Sequence, residues 1–204
     1  MNSAEVFDME RTFELQSFID ATQDVISASG AGEDALALGD RIFRAADNPG
    51  DQKDHQEKYL PACANISQAL ALARAHPGPV TELGEAIKRL ASKLRWTRRP
   101  NGDNDDPAFK SQHANALVVG PQGLEERSDI QIGITVMAPH AHYPNHHHQP
   151  EEIYAVLSPS QWRQNDDPWH SPGIGGVVHN VPNVVHSMRA TDTPLLAVWC
   201  LSGS

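Results

Sequence analysis

Near residue 100 the chain changes period, and that change bounds its fold more tightly than any single motif. Before it, apolar residues recur every three or four positions, as on a helix; after it, short β-type runs alternate with turns. Residues 4–29 place Val6, Phe7, Phe13, Leu15, Phe18, Ile19, Val25 and Ile26 on one amphipathic stripe, which Gly30 and Gly32 end. Residues 33–46 read as a second helix, stopped by Asn48-Pro49-Gly50, and the Ala/Leu-rich residues 62–76 as a third, ending before Pro77-Gly78-Pro79. Residues 80–95 read as a fourth, with Thr81 as its N-cap. Lys88, Arg89, Lys93 and Arg95 crowd its last turns as a solvated basic face, where cations suit the helix dipole.

Residues 98–108 are polar and rich in turn formers, a linker or long loop. Beyond them, His113–Val119, Ile130–Ala138, Ile153–Leu157, Gly176–His179, Val184–Ala190 and Leu195–Leu201 read as strands separated by Pro, Gly, Asn, Asp and Ser. Several short strands with such spacing predict an antiparallel sandwich or barrel. The 204 residues suit one domain with a helical extension. The expected organisation is α+β: a helical region over 1–97 packed on a β-barrel over 110–204.

Charge and composition remove several function classes. Lys plus Arg total 16 against 26 Asp plus Glu, a net charge of -10. Nucleic acid and anionic membranes both need a basic face, so neither is an expected partner. No helix-turn-helix signature is visible in the first half. No apolar run approaches the about 20 residues that span a bilayer, and MNSAEVFDMERTF carries no apolar signal core, so a cytoplasmic location is expected. Cys63 and Cys200 form no CxxC pair and read as buried structural thiols.

Histidine is in excess, with 11 residues, and eight of them lie between His140 and His186. That density suggests metal. Within residues 143–157, His146-x-His148-x-x-x-Glu152-x-Tyr154 places two same-face pairs, because residues two apart on a strand point the same way. His186, in Val181-Pro182-Asn183-Val184-Val185-His186, is the candidate ligand from a neighbouring strand. Imidazoles with one carboxylate suit one divalent transition metal, such as Fe, Zn, Mn, Ni or Co, with positions left open for substrate or water. His147 should face away from it. His140 and His142 read as outer-shell or surface residues and His179 as a cross-strand structural one.

These residues resemble the cupin superfamily, whose first motif is G(X)5HXH(X)3-4E(X)6G and whose second is PxGxxH or PGxxH. His146, His148 and Glu152 fill the first motif, and Pro182 and His186 the second. Asn183 stands where glycine is usual, a mild change because Asn tolerates left-handed turns. His140 replaces the leading glycine and Pro159 the closing one. The resemblance covers about residues 110–204 and implies a double-stranded β-helix barrel. Cupins host many reactions, so it says little about this one. Another metal-dependent cupin enzyme, such as a dioxygenase or isomerase, or a non-catalytic binding cupin, also fits these motifs.

Tyr154 and Tyr143, with the helical first half, make the chain similar to the cupin dimethylsulfoniopropionate (DMSP) lyases, in which HxHxxxExY is followed by a distant His. That family releases dimethyl sulfide from DMSP and leaves acrylate. The resemblance implies that His148, Glu152 and His186 hold the metal, with His146 as a further ligand. It makes Tyr154 the base at the substrate α-carbon and Tyr143 a pocket wall. A tyrosine pKa is ordinarily about 10, and a nearby cation lowers it. The sulfonium of DMSP prefers an aromatic face within about 6 Å. Tyr143, Tyr154 and Trp199 are the candidate substrate-binding residues, with Trp162 and Trp169 also available. A homodimer through the helical half is a further expectation, and residues 98–108 or 139–145 are candidates for a mobile entrance.

Overall fold

In the computed structural model, which describes residues 11–54, 56–98 and 107–203, four helices and their connections precede the β region. Helix α1 (Phe13–Ala28) and helix α2 (Glu33–Ala46) lead to a two-residue strand β1 (Asp51–Gln52). A 3-10 turn at Pro61–Asn65 then runs into α3 (Ile66–Arg74). After α4 (Pro79–Leu90), a 3-10 turn at Ala91–Lys93 precedes β2 (Trp96–Thr97). Helix α5 (Pro107–Gln112) opens the second half. The strands that follow are β3 (His113–Val119), β4 (Glu125–Glu126), β5 (Ile130–Met137), β6 (His142–His146), β7 (Glu152–Val156), β8 (Ser160–Gln164), β9 (Val177–Asn180), β10 (His186–Ala190) and β11 (Leu195–Ser202).

The helices form where the apolar stripes predict them, and the departures have local causes. Helix α1 buries Leu15, Phe18, Ile19, Thr22, Val25 and Ile26. Val6 and Phe7 fall outside the described residues. Phe13, the first residue of α1, is 75% exposed, with the Arg89 guanidinium 5.8 Å from its ring centroid. It precedes the turn from which the stripe faces the core. Thr81 is not the N-cap of α4. The helix begins at Pro79, whose fixed φ suits a first turn, with Gly78 at the cap in a conformation (φ 99°) open to glycine. Thr81 Oγ1 instead donates to the carbonyl of His76 at 2.7 Å, beyond the end of α3. Of the expected linker, residues 99–106 lie outside the described residues, and Pro107–Gln112 is helical.

Two sheets build the barrel. The large one runs β1-β4-β3-β5-β11-β7-β9, with β2 paired to β3, and the small one runs β6-β10-β8. The β3–β4 pairing is parallel, and the other pairings among the described strands are antiparallel. Alternation along the strands divides the large sheet into two faces. One face, with Ile132, Ile134, Val136, Ile153, Ala155, Leu196, Val198 and Cys200, shares a single apolar cluster with all four leading helices. The other, with Met137, Tyr154, Val156, Val178, Leu195 and Ala197, meets Tyr143, Trp162, Met188 and Ala190 of the small sheet. Cys200 is fully buried and burial pushes its thiol up, as expected of a structural cysteine; Cys63 is only half-buried. Among the described residues no helix is long and apolar enough to cross a membrane.

Candidate metal centre

One end of the barrel gathers the motif residues from both sheets. On the large sheet Glu152, the first residue of β7, pairs in register with Asn180 of β9. On the small sheet His186, the first residue of β10, pairs with His146 of β6 on one side and with Gln164 of β8 on the other. His148 lies beyond the end of β6, in the connection to β7. Among the described residues His148, Glu152 and His186 form the group able to hold a metal ion, their ligand atoms all within 4.8 Å of one another. Glu152 Oε2 lies 3.1 Å from His148 Nε2 and 3.2 Å from His186 Nε2. The fourth motif residue, His146, has its ring centroid 4.0 Å from that of His186 and 6.4 Å from that of His148.

The imidazoles share one device that decides which nitrogen faces the site. Nδ1 of His146 lies 2.9 Å from the Pro144 carbonyl, Nδ1 of His148 2.8 Å from that of Pro150, and Nδ1 of His186 3.0 Å from that of Val184. A carbonyl can only accept, so each Nδ1 carries the proton and the neutral ring presents its Nε2 lone pair. His186 Nε2 is buried and makes no hydrogen bond, its contact with Glu152 being off line. A buried lone pair facing a carboxylate oxygen is unfavourable unless a cation sits between them or the ring is protonated. The donor set of two imidazole nitrogens and a carboxylate therefore fits a first-row divalent cation. Burial opposes the charge on Glu152, but His148 and His186, with both ring nitrogens protonated, outweigh it by hydrogen bonding and positive charge and hold the carboxyl well below the usual range.

Tyr154 stands two residues after Glu152 in β7, on the barrel-interior face. It is buried, 4.7 Å between ring centroids from Trp162. Tyr143 is buried in β6, its ring 4.6 Å from His146 and 4.7 Å from Phe109. Trp199 is paired with Tyr154 on one side and Gly133 on the other, and packs against the same interior cluster. The indole covers Gly133, where any Cβ would overlap it. Gly133→Ala should therefore displace Trp199 and cost about 1–3 kcal/mol by overpacking. Thermal unfolding together with the near-ultraviolet tryptophan signal measures both effects.

The remaining aromatic and histidine expectations divide. Trp169 is not in the barrel interior. It lies against the outward residues of the small sheet, with the guanidinium carbons of Arg163 and Arg189 at 4.9 and 4.3 Å from its ring centroid. Arg163 and Arg189 alternate with the inward Trp162 and Met188, which puts the whole stack on the outer face. His147 and His140 are exposed. His142 packs edge-on to Trp169 and bonds Ser187 Oγ at 2.9 Å. His179 bonds Glu151 at 2.8 Å, a structural contact at the strand ends. Four residues of the site region had no signal in the sequence. Phe109 and His113 stack at 3.7 Å behind Tyr143, and Asn180 and Gln164 reach Glu152 through hydrogen bonds.

Comparison with known proteins bears on the family and the fold. The family model for dimethylsulfoniopropionate lyase matches residues 36–197, well over half of the chain and on both sides of the helix-to-strand change. A protein of Cereibacter sphaeroides, provisionally named dimethylsulfoniopropionate lyase DddL, is 28% identical over 172 residues, covering 84% of this chain and 69% of that protein. The crystal structure of the DMSP lyase DddQ from Ruegeria pomeroyi superposes with a TM-score of 0.76 at 19% identity, covering 94% of this chain and 92% of that one. A chain from the crystal structures of the DMSP lyases RdDddP and RnDddQII gives 0.70 at 20% identity, covering 94% and 93%. At such identities these superpositions show the fold, a helical region followed by a cupin barrel. The chain belongs to the dimethylsulfoniopropionate lyase family and is a carbon–sulfur lyase.

Proposed function

We propose that the protein cleaves DMSP to dimethyl sulfide and acrylate by a metal-assisted β-elimination, with Tyr154 as the base. The observation that carries this reading is the convergence of His148, Glu152 and His186 on one point, two residues along the same strand face from Tyr154. His148, Glu152 and His186 would hold one divalent transition metal, with His146 as a further ligand. When bound, such a cation supplies Lewis acidity, offsetting charge on a carboxylate as it becomes enolate-like.

The chain's own residues account for the rest. Tyr154, as tyrosinate, takes the proton from the carbon beside the substrate carboxylate. The C–H electron pair becomes the Cα=Cβ bond, the Cβ–S bond breaks, and its pair leaves on sulfur. Dimethyl sulfide departs neutral, so no general acid is needed, and Tyr154 returns its proton to solvent. Tyr143 and Trp199 line the interior and offer ring faces to the sulfonium cation. The apolar walls exclude water from the reacting carbon.

The test is direct. Protein loaded in turn with Fe(II), Zn(II), Mn(II), Ni(II) or Co(II) and given DMSP should release dimethyl sulfide and acrylate in equal amounts. Treatment with a chelator should abolish release, and adding back the metal should restore it. No gas above a metal-only blank for any of the five would sink the reading, and full activity after chelation would remove the metal from it.

A further inference from the structure

The two sheets supply different parts of the metal site: Glu152 comes from the large sheet and His186 from the small one. The distance between the sheets at this end therefore sets the distance between ligands. A chain of two side-chain amides spans the gap there. Gln164 Nε2 of β8 donates to the His179 carbonyl of β9 at 2.5 Å and to Asn180 Oδ1 at 2.7 Å. Asn180 Nδ2 donates onward to Glu152 Oε2 at 2.9 Å. Asn180 and Glu152 are both buried.

The backbone acceptor fixes the direction of this chain. The His179 carbonyl cannot donate, so the Gln164 atom beside it is the amide nitrogen. The Asn180 atom facing that nitrogen must then be its oxygen, and the Asn180 nitrogen is left to point at Glu152. The oxygen of Glu152 that lies nearest His148 and His186, Oε2, is thus held by an aimed N–H. Its strand neighbours reinforce the placement: Gln164 is the register partner of His186, and Asn180 that of Glu152.

Resting on the metal-site reading above, we infer that Gln164 and Asn180 are positioning residues for the metal: a sheet-to-sheet relay that orients Glu152 against His186. Neither touches the reacting atoms. Partners that orient a ligand in this way typically change metal affinity 10- to 100-fold when removed. Asn180→Leu keeps the side-chain shape and deletes the donor to Glu152. Gln164→Met keeps its shape and deletes the contact that aims Asn180.

The experiment is titration of the metal-free proteins with Co(II), followed by its visible absorption and by competition with a chelator, with apo melting temperatures alongside. The wild type should bind one equivalent. Asn180→Leu should bind 10- to 100-fold more weakly with an altered Co(II) spectrum, and Gln164→Met a few-fold more weakly. Because Gln164 acts through Asn180, the double variant should bind no more weakly than Asn180→Leu alone. Wild-type affinity in Asn180→Leu, or losses that multiply in the double variant, overturns the relay while leaving the metal site standing. If Asn180→Leu does not fold, Gln164→Met decides alone, at the half-buried end of the chain, and unchanged affinity there overturns the relay. A wild type that takes up no Co(II) overturns both readings.

Discussion

Tyr154→Phe is expected to keep its metal and lose about 10²–10⁴ of its turnover, the range that a positioned general base contributes. That corresponds to about 3–5 kcal/mol on the barrier. The substitution removes one oxygen and keeps the ring, so the contact with Trp162 at 4.7 Å is retained. The loss should fall on kcat rather than KM, because proton removal occurs only in the transition state. Tyr143→Phe is the control. Its ring also stays packed, against Phe109 and His146, and its role as a wall predicts a smaller loss, weighted toward KM. Dimethyl sulfide release and metal content, measured on the same preparations, separate these outcomes. Near-full turnover in Tyr154→Phe removes Tyr154 from the base role. Loss of metal along with activity would instead make its hydroxyl part of the coordination.

What could be read from the chain depended on whether an interaction leaves a fixed spacing. Strand β3 spans His113–Val119 as the alternation predicts, because it is a central strand whose alternate residues Ala114, Ala116 and Val118 all enter the helix-facing core. Strands β6 and β8 carry no such pattern. They are the edges of the small sheet, where an exposed face and Pro144 are tolerated and apolar alternation is not required. The candidate metal set was legible because His148, Glu152 and His186 sit at motif spacing. Even the departures from the cupin glycines were readable: His140 and Asn183, at two of those positions, have φ of 62° and 63°, the left-handed region the glycines serve. Asn180 and Gln164 were invisible, since a hydrogen-bonding amide has no periodicity, and their partners are set by sheet pairing. The same holds for Arg11 and Glu125, which are 114 residues apart.

That pair predicts the largest stability change. Glu125 is fully buried in β4, and Arg11 bonds it twice, Nε to Oε2 at 2.5 Å and Nη2 to Oε1 at 2.9 Å. The Gly50 amide donates to the same carboxylate at 3.0 Å, and Arg127 approaches at 3.7 Å. Arg11 also donates to the Ala46 carbonyl, and Arg127 to those of Ala45 and Asn48. Helix α2 has no glycine cap, so these arginines satisfy carbonyls that its last turn leaves open. Removing one partner of a buried pair strands a charge and costs about 3–5 kcal/mol, far more than a surface pair. At about 2–4 °C per kcal/mol for a chain of this size, Glu125→Leu should melt roughly 6–20 °C lower. Adding Arg11→Met should recover part of that loss, because the stranded guanidinium goes with it. Three strands separate β4 from β7 in the large sheet, so Co(II) affinity should stay unchanged below the melting transition. A melting temperature within 1–2 °C of wild type in Glu125→Leu, outside the roughly 6–20 °C expected, would show that water reaches Arg11 and that the pair is not a buried clamp.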